Sequence, residues 1–174
     1  MISFIVPAYN EERLLGRTLE AIHDAARGLA DLYELIVVND DSTDDTATIA
    51  RVHGARVVDV KCRQIARVRN AGARAANGNI FIFIDADTLV SAETVRATLG
   101  ALDRGAIGGG ATVWFDGRLP LSARLVNPAF RVVMRVGRLA AGCYVFCTRA
   151  AFDAVGSLRS EFSLGPRGNQ VALK

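Results

Sequence analysis

At 174 residues and 18.6 kDa the chain suffices for one domain, and a domain of that size buries roughly 70% of the surface its unfolded chain exposes. Apolar residues make up 51% and charged residues 22%, globular values that argue against disorder, a collagen-like repeat or a coiled coil. The net charge of +3 is unevenly placed: residues 1–115 carry 12 basic and 15 acidic side chains and residues 116–174 carry 9 and 3, which suggests cation or nucleotide chemistry first and contact with an anionic surface second.

In chain order, Ile2 to Val6 is an apolar run without alternation, ended by Pro7, and reads as a strand buried on both faces. A helix follows: Glu11 and Glu12 suit its start, Leu14, Leu15, Leu19 and Ile22 recur at helical spacing, and Gly28 can end it. The alternation repeats with a strand at Leu35 to Val38, a helix at Thr46 to Val52, a strand at Val57 to Val60, a helix at Ile65 to Ala76 and a strand at Ile80 to Ile84. Ala92 to Leu102 predicts a further helix, capped by Ser91, and Ala106 to Phe115 a further strand. Gly108, Gly109 and Gly110 follow no strand and open no helix, so they read as close backbone approach or a bulge rather than as a nucleotide loop. Asn127-Pro128 opens a basic amphipathic helix with Arg131, Arg135 and Arg138 on one stripe. Such a helix covers a sheet with its arginines in water, or lies peripherally on an anionic membrane.

The longest apolar runs, Ile80 to Ile84 and Tyr144 to Cys147, fall far short of the roughly 18 residues a membrane-spanning helix needs. Met1 leads into Pro7 and an acidic pair without a basic start or cleavage pattern, so the expected compartment is the cytoplasm, with peripheral contact at the inner face of the membrane if the basic helix binds there. Cys62, Cys143 and Cys147 are an odd number and read as reduced packing thiols; His23 and His53 lack the spacing of a structural zinc site.

Strands alternating with helices imply parallel pairing, so the expected fold class is α/β, a mostly parallel sheet with helices on both faces. Ligands of such sheets bind outside the carboxyl ends of the strands. That rule selects Pro7 to Glu11, Asn39 to Asp45 and Asp85 to Thr88, three loops expected on one rim. Asp85-Ala86-Asp87 follows five apolar residues, and carboxylates at the exit of a buried strand are costly unless neutralised. A hard divalent cation shared with a diphosphate would neutralise them. The second loop holds four carboxylates within residues 39–46; Asp44 or Ser42 can cap the next helix, which leaves Asp40 to accept an N–H from a base edge. Tyr9, beside amide groups from Asn10, is a candidate stacking platform. Nucleic acid is not an expected partner, because the basic residues lack interleaved exposed aromatics and the acidic rim would repel phosphates unless a metal intervened.

Together, the stretch Pro7-Ala8-Tyr9-Asn10-Glu11, then Val37 to Asp44, then Arg69-Asn70-Ala71-Gly72, then Asp85-Ala86-Asp87 resembles, in order and spacing, the inverting nucleotide-sugar transferases of glycosyltransferase family 2. The resemblance covers about Met1 to Gly156, leaves 157–174 as an atypical tail, and implies the A-type glycosyltransferase fold. It implies a nucleotide-diphosphate sugar donor, often of uridine, held by Pro7, Ala8, Tyr9, Asn10, Glu11, Asp40, Arg69 and Asp85, with Asp87 ligating Mg²⁺ or Mn²⁺. The acceptor, a glycan or a lipid-linked molecule, is not specified. Asn39 stands where the family commonly has Asp, and Asp41 where it commonly has Gly. The family's Gly-Gly-Phe-Asp-Glu stretch and the acidic pair that supplies the base have no match in Gly156-Ser157-Leu158-Arg159-Ser160-Glu161-Phe162 or beyond. No catalytic base is therefore assigned, a truncated or altered end is the expected cause, and a noncatalytic nucleotide-sugar-binding remnant is the alternative to a working transferase. A nucleotidyltransferase would open with a Gly-rich phosphate loop, which is lacking after Ile2 to Val6.

Overall fold

The computed structural model describes residues 1–29, 32–111 and 142–156. Within them the chain runs β1 (Ile2–Ala8), α1 (Leu15–Ala26), β2 (Tyr33–Asp40), α2 (Thr46–Val52), β3 (Arg56–Val60), α3 (Ile65–Ala75), β4 (Ile80–Ile84), α4 (Ala92–Asp103), β5 (Gly108–Gly110), β6 (Tyr144–Thr148) and α5 (Arg149–Val155). The expected strand beyond residue 111, the basic helix around Arg131, Arg135 and Arg138, and the 157–174 tail lie outside the described residues.

Six strands form one sheet in the order β3-β2-β1-β4-β6-β5. The first four are parallel, whereas β6 is antiparallel to both β4 and β5. The α/β, mostly parallel architecture follows from the apolar runs, which leave no polar face to solvent and so need helices on both sides. Alternate residues divide the core. Phe4, Val6, Leu35, Val37, Ile82, Ile84 and Phe146 pack with Leu15, Leu19 and Ile22 of α1 and Val95 of α4. Ile5, Ile36, Val38, Phe81, Phe83 and Val145 pack with Val68 and Ala73 of α3 and Phe152 of α5 on the other side. Each such large side chain contributes about 1.5–3 kcal/mol through burial.

Pro7 does not end the first strand. β1 continues through Ala8, with Pro7 opposite Val38 on β2, while pairing with β4 stops at Ile5 and Phe83. Beyond that point β1 has one neighbour, and a strand without a second partner tolerates a missing N–H. The first helix starts later than expected, at Leu15, after a turn in which the N–H groups of Leu14 and Leu15 donate to Glu11 O. The triple glycine is both strand and close approach: a Cβ on Gly108 would lie 2.8 Å from Phe146 O, and one on Gly109 2.8 Å from the Phe146 ring.

Gly72 lets α3 lie directly on the sheet, since a Cβ there would come within 2.4 Å of Ile5 Cγ2 and 2.8 Å of Val38 Cγ2. At the N-terminal edge of the parallel strands, Glu34 ties β1, β2 and the α3–β4 connection together. Its Oε1 accepts from Ser3 Oγ at 2.6 Å and from the Asn77 and Gly78 amides at 2.5 and 3.1 Å, and its Oε2 accepts from Asn77 Nδ2 and Arg56.

Candidate functional site

Because β1, β2, β3 and β4 are parallel, the segments that leave them all emerge at one edge of the sheet. The first two loops are latched together. Asn10 Oδ1 accepts the Thr43 amide at 2.8 Å, the Asn10 amide donates to Ser42 Oγ at 3.0 Å, the Glu11 amide donates to Thr46 Oγ1 at 2.8 Å, and the Glu12 amide donates to Asp44 Oδ2 at 3.1 Å. Asp44 also receives the Thr46 amide and hydroxyl, so it organises the start of α2 as its position suggests, while Ser42 serves the first loop instead.

The departures from the family pattern have local causes. Asp41 has φ +59, in the left-handed region where glycine is free of strain and Asp is among the better-tolerated side chains. Its carboxylate is held below the usual range by hydrogen bonds from Lys61 and Arg63. Asn39 donates through Nδ2 to Asp59 Oδ1 at 2.8 Å; an Asp in its place would set two carboxylates against each other.

Asp40, the last residue of β2, is only 5% exposed. Its two carboxylate oxygens accept the backbone N–H groups of Cys62 and Arg63 at 2.6 and 2.8 Å, so in this structure it fixes the β3–α3 loop. Pro7 and Ala8 lie buried within β1 rather than on the loop. Tyr9 is 44% exposed and presents its ring to the guanidinium of Arg63.

Arg69 stands on α3 one turn before Gly72 and reaches under the rim. One nitrogen, Nη2, donates to Asp85 Oδ1 at 2.5 Å and to Gly142 O at 2.6 Å, while its buried Nε has no partner among the described residues. Asp85 is further fixed by its own amide, which donates to Cys143 O, and the next residue by Thr18 Oγ1 of α1 donating to Ala86 O at 2.7 Å. Asp87 differs. It is exposed, and among the described residues the one hydrogen bond to its side chain comes from Thr88 Oγ1 at 3.4 Å.

The acids share one field. Burial first, and then the charges of Asp87, Asp44 and Asp85, push the Glu11 carboxyl above its ordinary value of 4.5. The rim thus brings together Glu11, Asp44, Asp85 and Asp87 from three loops, with Arg69 compensating Asp85. Among the described residues no three His, Cys, Asp or Glu side chains converge closely enough to hold a metal by themselves.

Sequence reasoning passed over Lys61 and Arg63, although the edge rule that selects three loops selects the β3–α3 loop as well. It also read Cys143 as a packing thiol and did not place it at the site. Burial pushes that thiol up, with the Thr88 hydroxyl opposing and Asp85 and Asp87 adding to the shift, so it sits beside the acidic pair rather than in the core. Cys147, by contrast, is a packing thiol raised by burial to about 12. All three cysteines are free.

A family model described as Glycosyl transferase family 2 matches residues 3–153. An uncharacterized glycosyltransferase of Mycobacterium tuberculosis is 36% identical over 105 residues, covering 60% of this chain and 45% of that protein. The chain spans less than half the length of the curated relatives it matches. Among solved structures, a mannosyltransferase from Pyrobaculum calidifontis in complex with GDP-Man and Mn²⁺ superposes with a TM-score of 0.75 at 23% identity, over 92% of this chain and 48% of that one. Glucosyl-3-phosphoglycerate synthase from M. tuberculosis, in complex with Mn²⁺, UDP and glucosyl-3-phosphoglycerate, superposes with a TM-score of 0.65 at 28% identity, over 86% and 57%. The sheet is that of the A-type glycosyltransferases. No described helix is long and apolar enough to cross a membrane.

Proposed function

The chain belongs to glycosyl transferase family 2, and from that premise we propose that its rim holds a nucleotide-diphosphate sugar, a UDP-sugar first, and passes the sugar with inversion to an acceptor hydroxyl on a glycan or lipid-linked molecule. The observation that carries this reading is the convergence of Tyr9 with Glu11, Asp44, Asp85 and Asp87 at one edge, where among the described residues Arg69 alone pairs with one of these four acids. Tyr9 offers a face to the base. Asp40 has lone pairs beyond the two taken by backbone amides and can accept an N–H from a base edge. Arg69 holds Asp85 in place to face the donor nucleotide.

Asp87 fits a Mg²⁺ or Mn²⁺ ligand. Mg²⁺ is usually held by one or two carboxylates with substrate phosphates and water completing its shell, and an exposed carboxylate with one long hydrogen bond suits that donor set. Bound there, the cation would offset the charge that grows on the departing diphosphate. The first two loops are latched together before any donor binds, so the donor meets a rim already ordered and loses less in arranging it. The solved relatives in complex with GDP-Man or UDP together with Mn²⁺ support this assignment.

A second reading, binding without transfer, is favoured by one observation: Gly156 to Phe162 does not match the family's Gly-Gly-Phe-Asp-Glu stretch. Calorimetric titration with UDP and GDP, with and without Mn²⁺, followed by donor turnover, tests both. Metal-dependent nucleotide binding with sugar release supports a transferase; metal-dependent binding without even slow donor hydrolysis supports the second reading; no nucleotide binding overturns both. Peripheral contact with an anionic membrane through Arg131, Arg135 and Arg138 is a separate proposal from the sequence, tested by flotation with anionic vesicles before and after these arginines become Glu.

A further inference from the structure

The loop after β3 sets a second flat group on the proposed base platform. Arg63 Cζ lies 4.2 Å from the centroid of the Tyr9 ring, the spacing of a cation resting on an aromatic face. Its Nη2 donates to Asp41 Oδ2 at 3.1 Å, which sets the orientation of the guanidinium. The backbone that aims it is strained: Arg63 has φ +50, a conformation that a side chain with a Cβ adopts at a cost. Asp40 maintains that strain, because its buried carboxylate takes the N–H groups of Cys62 and Arg63 at once.

Packing does not require this arrangement. The Arg63 side chain is 49% exposed, so the strain supports no core contact. Strained non-glycine residues persist only where the surroundings over-determine them, and they cluster at ligand clamps. Here a buried acid fixes the loop, the loop aims an arginine at a half-exposed tyrosine, and a second acid turns its plane.

We propose that Arg63 is a specificity-determining residue of the donor site, whose guanidinium forms, with the Tyr9 ring, the two walls of a slot that takes the nucleobase of a nucleoside diphosphate. This rests on the reading of the rim as a nucleotide-sugar site and goes beyond it, since the residues the family resemblance sets near the base are Tyr9, Asp40 and Arg69, not Arg63. A base between two planes needs them about 7 Å apart, two optimal carbon separations, so the 4.2 Å stack is the closed slot. Opening is a side-chain movement, because Asp40 holds the backbone. Asp41 Oδ2 also receives Lys61 Nζ at 2.9 Å, so Arg63 can leave Tyr9 without stranding the Asp41 charge. Lysine would not replace Arg63, because an ammonium keeps the charge but offers no plane for a base to stack on.

The test titrates wild type, Arg63→Ala, Arg63→Gly and Arg63→Lys with UDP and, separately, with inorganic pyrophosphate, each with Mn²⁺. Expected is a loss on the order of tenfold in UDP affinity for all three variants, the scale of one base–side-chain stack, with pyrophosphate affinity unchanged. Arg63→Gly removes the backbone strain as well as the side chain, so a loss equal to that of Arg63→Ala assigns the effect to the guanidinium and not to loop shape. Variants that bind UDP as tightly as wild type, or tighter, overturn the slot, and so does a parallel fall for UDP and pyrophosphate, which would mark Arg63 as a general attractor of phosphate. A wild type that binds neither UDP nor GDP overturns the donor-site reading itself.

Discussion

At the N-terminal edge of the parallel strands Glu34 meets five donors, whereas at the C-terminal edge Glu11 meets three other carboxylates. Burial works to raise both groups. At Glu34 it is outweighed by hydrogen bonds from Ser3, Asn77 and Gly78, and the carboxyl ends below its ordinary value; at Glu11 nothing outweighs it, and the carboxyl ends above. The lower edge is also closed sterically, with Arg149 donating to Gly78 O and Ala76 O and lying over the Phe81 ring. One end of the sheet satisfies its own charges and reads as structure. Among the described residues the other leaves carboxylates whose charge nothing offsets, and the divalent cation proposed above would offset it.

The comparison is most severely strained at Gly78. A Cβ there would lie 2.5 Å from Ser3 Oγ and 2.7 Å from Met1 O, so Gly78→Ala should cost about 3 kcal/mol in chemical denaturation while nucleotide affinity of the folded protein stays unchanged. Glu34→Ala should cost about 2 kcal/mol, because Ser3 and the Asn77 and Gly78 amides lose their acceptor. Its pH dependence has a defined sign. A carboxyl lowered by folding contributes stability above its unfolded value near 4.5 and loses it as pH falls through the folded value, so the gap between wild type and Glu34→Ala should narrow on acidification. At the other end the sign reverses. Glu11 is raised by folding, so its ionised form opposes folding above the folded value and the penalty vanishes below it. Glu11→Gln should therefore stabilise the unliganded protein near neutral pH by a few tenths of a kcal/mol after solvent screening, and the gain should disappear in acid. Loss of stability in Glu11→Gln at neutral pH would break the contrast between the two edges.

Much of the upper edge is legible in the sequence because its parts are local. Apolar runs name the strands, Ser91 caps α4 as its position before Ala92 suggests, and the order of the four stretches carries the family. What escapes is non-local. That Asp40 fixes a loop 22 residues away, that Asn39 is explained by Asp59, and that Cys143 returns to the acidic pair just ahead of the antiparallel β6 all depend on pairings set by topology, which a linear pattern does not display. The end of β1 escapes for a different reason: Pro7 signals a stop by its chemistry, and only the early end of pairing with β4 makes it acceptable inside the strand. Arg63 escapes because a basic residue next to a helix start has the look of an ordinary solvated side chain until Tyr9 is found beneath it.

On the proposed reading the acidic upper edge is a place for a divalent cation shared with a nucleoside diphosphate, and Asp87 is the residue that decides it. Mn²⁺ uptake followed by electron paramagnetic resonance, with the chain saturated by UDP, measures this directly. Wild type should remove free Mn²⁺ beyond what UDP alone removes, to about one ion per chain, and Asp87→Ala should return that signal to the level of UDP alone. Equal uptake by the two proteins would contradict the account.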